Sequence, residues 1–235
     1  MSTFTDVWRT NEYFTTTTSR FNGVEISSVA VAAEHEGGGG DCCEAFAVSP
    51  GVLAIIIVDV CGHNAASYVT MTSLRCILRR AAHRGKPPGQ ALAAANRYLL
   101  ESEPGIYATA IFALLDVQCS ALVLANAGHP APFEVSSHGT RLFSFPGADL
   151  PLGVDRSSLF NQEAWQLLPK SLTVFYSDGI TDHERAPIYG AQQLELAAAT
   201  AYAQKSDAAA PTIMREMRMG LRLRDDAALL ALRSI

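Results

Sequence analysis

The sequence has few charged residues and no excess of basic ones. Charged residues make up 17% of the 235 residues, and 18 Lys and Arg stand against 23 Asp and Glu, which gives a net charge of −5. Nucleic acids and anionic membrane surfaces attract basic proteins, so we expect neither as a partner. The hydrophobic share of 49% also excludes an intrinsically disordered chain.

No apolar run is long enough to cross a membrane. The longest, from Val52 to Val58, stops at Asp59, whereas a membrane-spanning helix needs about 20 apolar residues. The first residues, Met1 to Asp6, contain neither the charged region nor the apolar region of a secretory signal. The five cysteines are odd in number and form no CxxC pair, which predicts reduced thiols. We therefore expect a cytoplasmic protein.

The order of apolar segments predicts one α+β domain behind a polar tail. Residues 1–22 are polar and rich in threonine, and residues 23–235 contain no linker-like stretch. Apolar patterns predict strands at residues 24–33, 45–48, 52–59, 107–116, 120–126, 131–135, 141–145, 171–176 and 227–233. Helical spacing predicts helices at residues 65–82, from residue 88, at residues 191–203 and at residues 208–221. This order predicts antiparallel sheets that are covered by pairs of helices.

Four aspartates stand at the ends of apolar segments. Asp41 follows four glycines, Asp59 and Asp178 each end a predicted core strand, and Asp225 precedes the final strand. Each alone is typical of a turn. Together they favour a divalent cation, because carboxylates at the ends of core strands need compensating positive charge. Only Asp225 has a basic residue within two positions, Arg224. Ligation by oxygen alone indicates Mg²⁺ or Mn²⁺ rather than zinc.

Short motifs around these aspartates occur in a fixed order along the chain. They are GGD at residues 39–41, DVCGHN at 59–64, NAGHP at 126–130, PLG at 151–153, SDG at 177–179 and DD at 225–226. Over residues 24–233 they resemble the GGD, DVSGHG, NAGHP, PLG, TDG and DD motifs of the SpoIIE/RsbU-type PPM (PP2C-like) serine/threonine phosphatases. The resemblance implies an α/β/β/α sandwich of two antiparallel sheets, flanked by helix pairs, with a two-metal site.

The resemblance also implies a role for each metal-binding residue. Asp59 would bridge two Mn²⁺ or Mg²⁺ ions, and the carbonyl of Val60 would join the second ion. Asp178 and Asp225 would complete the first metal site. Asp41 would serve the second ion, directly or through water.

Three further features of the motifs remain open. His63 resembles a histidine proposed as the general acid for the leaving oxygen, although a role in orienting its loop is equally compatible with the sequence. Glu44 stands where the family usually has Asp, so its role is undetermined. Cys42, Cys43 and Cys61 lie beside the predicted ligands, and we expect them to be packing residues.

The predicted activity is metal-dependent hydrolysis of phosphoserine or phosphothreonine in a protein. The resemblance implies a phosphorylated STAS-type regulator as substrate, in bacterial partner switching, and an upstream activator protein as a second partner. One alternative is a non-catalytic module that binds a phosphoprotein, which the retained aspartates argue against. The other is a different two-metal hydrolase. The acidic composition argues against a nuclease, and the lack of histidine clusters argues against a cyclic-nucleotide phosphodiesterase.

Overall fold

Two antiparallel sheets are stacked face to face, and helices cover the outer face of each sheet. The computed structural model describes residues 9–11, 14–32, 39–62, 65–145, 149–182, 187–217 and 225–234. Every strand pair within these residues is antiparallel. The predicted α/β/β/α sandwich is therefore confirmed.

Sheet A has the strand order β1-β2-β3-β12-β11-β8-β9 and sheet B has the order β10-β7-β6-β5-β4. The strands of sheet A are β1 (Arg9–Asn11), β2 (Phe14–Phe21), β3 (Val24–Val31), β8 (Phe133–Ser136), β9 (Gly139–Leu142), β11 (Leu172–Tyr176) and β12 (Ala227–Ser234). The strands of sheet B are β4 (Asp41–Ser49), β5 (Val52–Val60), β6 (Ala108–Asp116), β7 (Ala121–Ala127) and β10 (Gln162–Gln166).

Strand β5 explains why sheet B is buried on both faces. Its residues alternate between two apolar clusters, so that Ile56 packs towards the helices and Ile57 packs between the sheets. Both side chains have no exposed surface. A strand that is apolar on both faces is stable only between two layers.

The helices form two pairs, one for each sheet. Helices α1 (Ala65–His83) and α2 (Pro88–Ser102) cover sheet B, and helices α3 (Pro187–Ala203) and α4 (Ala209–Glu216) cover sheet A. Leu74 and Leu78 of α1 pack with Leu92 of α2 at helical spacing. Pro88 begins α2, where its missing N–H costs no helical hydrogen bond. None of the helices in the described ranges is long and apolar enough to cross a membrane.

The predicted N-terminal tail is wrong for residues 14–21. These residues form β2, which pairs with β3 from Phe14↔Val31 to Phe21↔Val24. Thr17 and Thr18 lie opposite Ser28 and Ser27 of β3, and the hydroxyls of Thr17 and Ser28 form a hydrogen bond of 2.7 Å. The strand is therefore held by its backbone ladder and polar contacts rather than by an apolar face. The domain boundary predicted at residue 23 consequently lies too far along the chain.

Candidate metal centre

Four carboxylates meet at one end of the sandwich, two from each sheet. Asp41, the first residue of β4, lies opposite Asp59 of β5 in the strand register. Asp178 begins the 3-10 helix Asp178–Ile180 that follows β11, and Asp225 lies just before β12. Strands β11 and β12 are paired, so their adjacent ends bring the second pair of aspartates together.

The electrostatics of these aspartates show that their charges repel each other. Burial, followed by the charges of Asp178 and Asp225, raises the pKa of Asp59 to about 7. Burial and the charge of Asp59 also raise the pKa of Asp41 well above its usual value. The pKa of Asp178 is raised by burial and by the charges of Asp182 and Asp225. Neighbouring carboxylates that repel each other favour the binding of protons or of a cation.

The donor atoms at this end suit a hard divalent cation. Among the described residues, no Lys or Arg forms an ion pair with any of the four aspartates. No three Asp, Glu, His or Cys side chains within the same ranges already surround one point as metal ligands. The carboxyls of Asp41 and Asp178 instead lie close enough to that of Asp59 to shift its pKa. A shared cation would replace these contacts, and its oxygen ligands are those that Mg²⁺ and Mn²⁺ prefer.

Ser177 connects the two halves of the centre. Its hydroxyl donates to Oδ2 of Asp41 at 2.5 Å and accepts from the backbone N–H of Ala228 at 2.8 Å. Its own N–H donates to the carbonyl of Ala228 at 2.9 Å, and the side chain is fully buried. The hydroxyl thereby ties an aspartate of sheet B to strand β12 of sheet A. Sequence reasoning missed this residue, whose only signal was its place before Asp178.

Asp226 makes a second connection between the sheets. Its Oδ2 accepts the backbone N–H of Gly40 at 2.6 Å, and the carbonyl of Gly40 accepts the N–H of Val60 at 3.2 Å. A Cβ on Gly40 would lie 2.6 Å from the carbonyl oxygen of Val60, and a Cβ on Gly179 would lie 1.9 Å from that of Asp226. Glycine at both positions is thus required by close backbone approach. The double aspartate was noted in the sequence, but not the positioning role of its second member.

His129 is a structural residue between the sheets. Its Nδ1 lies 2.6 Å from the hydroxyl of Thr109, and its Nε2 lies 3.0 Å from the carbonyl of Tyr176. The carbonyl can only accept, so Nε2 carries the proton and Nδ1 accepts from Thr109. Complete burial lowers the pKa of His129 to about 3, which keeps the ring neutral. Because Thr109 lies opposite Asp59, the ring supports the strand that carries this aspartate.

The remaining motif residues divide into those near the centre and those turned away from it. Val60 ends β5 beside Asp59. The predicted general acid, His63, lies outside the described residues. Glu44 forms ion pairs with Arg79 and, at 3.9 Å, with Arg75, so it contacts helix α1 rather than the aspartates.

The cysteines beside Asp41 are packing residues in the structure. Burial raises the pKa of Cys42 to about 12 and also raises that of Cys43. The thiol of Cys43 donates to the carbonyl of Leu229 at 3.5 Å, between the two sheets. Thiols with raised pKa values are poor nucleophiles and poor metal ligands at neutral pH.

Comparison with known protein families identifies a family model that matches most of this chain. The family model described as Stage II sporulation protein E (SpoIIE) matches residues 49–234. The phosphoserine phosphatase RsbP of Bacillus subtilis is 26% identical over 133 residues, which cover 54% of this chain and 33% of RsbP. The chain therefore spans about a third of the length of this relative.

Two solved bacterial structures show the same fold. The RsbU and RsbW domains of Rv1364c from Mycobacterium tuberculosis superpose with a TM-score of 0.79 at 25% identity, over 90% of this chain and 60% of that one. The PP2C phosphatase domain of SpoIIE from Bacillus subtilis, with a fragment of its regulatory domain, gives 0.78 at 17% identity. That match covers 92% of this chain and 65% of the SpoIIE chain.

Proposed function

This chain belongs to the SpoIIE family of PP2C-like phosphatases, and we propose that it is itself a metal-dependent phosphatase of phosphoserine or phosphothreonine in a protein. The observation that carries the proposal is the meeting of Asp41, Asp59, Asp178 and Asp225 at one end of the sandwich. A purely structural role would not explain four mutually repelling carboxylates that lack a basic partner among the described residues.

We assign the ligands as the motifs imply. Asp59 would contact both cations, Asp178 and Asp225 the first, and Asp41 with the Val60 carbonyl the second. Two such cations, Mn²⁺ or Mg²⁺, would supply acidity for an attacking water and positive charge for the phosphoryl oxygens.

The protein's own groups would prepare and complete this chemistry. Asp41, Asp59 and Asp178 have raised pKa values, so they would lose their protons when the cations bind. Ser177 and Asp226 would hold the strand ends in place through their hydrogen bonds between the sheets. His63 would donate a proton to the leaving serine or threonine oxygen.

The proposed substrate is a phosphorylated STAS-type regulator in a bacterial partner-switching pathway, with an upstream activator protein. The similarity to RsbP, which is named a phosphoserine phosphatase, supports the phosphoserine specificity. We place the reaction in the cytoplasm, because all five cysteines are free and suit a reducing compartment.

A single set of assays tests the activity against its alternatives. p-Nitrophenyl phosphate and a phosphoserine peptide should be hydrolysed with Mn²⁺ and not with EDTA. Asp225→Asn should lose this turnover, whereas Asp207→Asn, at an aspartate whose side chain is 79% exposed, should keep it. Binding of the peptide without turnover would contradict the proposal in favour of a binding module. Cleavage of a bis-ester or single-stranded DNA alone would show another two-metal hydrolase.

A further inference from the structure

Exposed apolar side chains gather on the segments next to Asp59. Most large hydrophobic side chains among the described residues are buried, but this end of sheet B has five that are 44% to 60% exposed. We call them the apolar rim: Tyr68, Val69, Tyr107, Leu150 and Val154. Contiguous exposed apolar surface on a folded protein commonly marks an interaction site.

Hydrogen bonds join the three segments of the rim into one surface. The hydroxyl of Ser67, in the first turn of α1, donates to the carbonyl of Cys61 at 3.2 Å. The N–H of Cys61 donates to the carbonyl of Tyr107 at 3.1 Å. Ala108 and Leu152 then exchange backbone hydrogen bonds of 3.0 and 2.8 Å, which fix the loop that carries Leu150 and Val154.

The strand register places this surface directly beside the carboxylates. Asp59 lies opposite Thr109 and Val60 lies opposite Ala108, so Tyr107 is the next residue beyond that pair. The chain that leaves β5 after Asp59 and Val60 also leads to α1, and Tyr68 and Val69 are exposed in the first two turns of this helix. A phosphate bound by the aspartates would consequently bring its carrier onto the rim.

The side chains of the apolar rim indicate that it binds an apolar surface of another molecule. All five side chains are apolar or aromatic, and the first turn of α1 has no acidic residue, although acidic residues are favoured there. Ala65 and Ala66 in the same turn are also exposed. A surface of this composition gains free energy when another apolar surface covers it.

We propose that the apolar rim binds the apolar surface that flanks the phosphoserine of a protein substrate. This inference rests on the proposed phosphatase function and narrows its substrate class to phosphoserines that have hydrophobic neighbours. A protein substrate reaches both the carboxylates and the rim, whereas a small phosphate ester reaches only the carboxylates.

The test compares two synthetic phosphoserine peptides of equal length and charge. One has Leu and Val beside the phosphoserine and the other has Gly and Ser. We expect the wild-type chain to prefer the apolar peptide by about tenfold in kcat/KM, the size of effect given by partial burial of one aliphatic side chain. The double variant Val69→Ser/Tyr107→Ser should reduce this ratio to near one, with an unchanged circular dichroism spectrum. Leu196→Ser on α3, at a side chain that is 70% exposed, is the matched control and should keep the preference.

The outcomes separate this inference from the proposed function. If p-nitrophenyl phosphate is hydrolysed but kcat/KM is equal for both peptides, the apolar rim does not bind the substrate. The proposed phosphatase activity would then still stand. Absence of all hydrolysis would overturn the phosphatase itself. Sedimentation that shows a wild-type dimer and a monomeric Val69→Ser/Tyr107→Ser variant would assign the rim to contact between copies, and would also overturn the inference.

Discussion

Asp59 and its neighbours carry a cost in folding free energy that depends on pH. A carboxyl whose pKa is raised to about 7 binds a proton more tightly in the folded chain than in the unfolded one. Without metal, its contribution to stability is therefore lost as the pH rises from about 4 to about 7. Neutralising the residue removes this cost, and it would also remove a proposed metal ligand.

We predict that Asp59→Asn and Asp178→Asn abolish turnover without lowering the melting temperature of the metal-free protein. Asp59→Asn should be more stable than the wild type at about pH 8, by on the order of 1 to 3 kcal/mol, and nearly equal to it at about pH 4. The increase in melting temperature on addition of Mn²⁺ should shrink in both variants, because a ligand stabilises a protein through its affinity for the folded state.

Melting curves at both pH values, with and without Mn²⁺, decide between a ligand and a turn residue. Turn or capping aspartates would show the opposite behaviour, with a loss of about 1 kcal/mol of stability and with turnover retained. Asp116→Asn serves as the control, because this carboxylate accepts the backbone N–H of Gln118 in an exposed turn.

At the scale of elements, a group of polar and aromatic side chains adds to the apolar contact between β4 and α1. Glu44 on β4 pairs with Arg79 of α1, whose guanidinium also lies 4.2 Å from the centre of the Phe46 ring. Glu44 lies three residues along the strand from Asp41, so the same strand joins this group to the carboxylate centre.

We predict a coupling free energy of about 1 kcal/mol between Glu44 and Arg79, from the half-buried setting and the shared aromatic ring. Urea unfolding of the wild type, Glu44→Gln, Arg79→Met and the double variant measures it. The Glu101–Arg156 pair, which is 52% and 69% exposed, should give a coupling close to zero in the same cycle. A coupling near zero between Glu44 and Arg79 as well would show that this ion pair adds nothing to stability.

The sequence alone was enough to predict the elements that have an apolar face. It was not enough to predict those that are held by polar contacts. The patterns over residues 52–59 and 65–82 predicted β5 and α1 to within a residue of their observed ends. Strand β2 was missed because its threonines lack apolar alternation, although β-branched residues favour strands. The aspartates were found by their place at strand ends. Ser177 could not be found, because its role depends on a contact with Asp41 that is 136 residues away.

At the scale of the whole molecule, the candidate centre lies on the seam between two separately packed sheets. The cluster under α1 and α2 and the cluster under α3 and α4 are each apolar and extensive. A third cluster fills the space between the sheets. We therefore expect folding to be independent of the proposed metal ions, whereas the fit between the two strand ends would depend on them.

We predict that EDTA leaves the far-ultraviolet circular dichroism spectrum unchanged. Added Mg²⁺ should slow hydrogen exchange at the seam, at the amides of Gly40, Val60 and Ala228, because ligands from both sheets would then share the ions. Hydrogen exchange followed by mass spectrometry makes the measurement, and peptides from α3 serve as the reference. Global loss of protection in EDTA would contradict this view.

The position of β12 in sheet A has a consequence for synthesis on the ribosome. This strand lies between β3 and β11, yet it is translated after every other strand in the described residues. Strands β4 to β7 and helices α1 and α2 are nearly contiguous in sequence, so they can begin to pack while translation continues. Sheet A is not complete until β12 emerges and pairs with β3 and β11. A nascent chain that has not reached Asp225 thus has at most three of the four aspartates, and a product terminated before β12 would lack the strand that pairs with both β3 and β11.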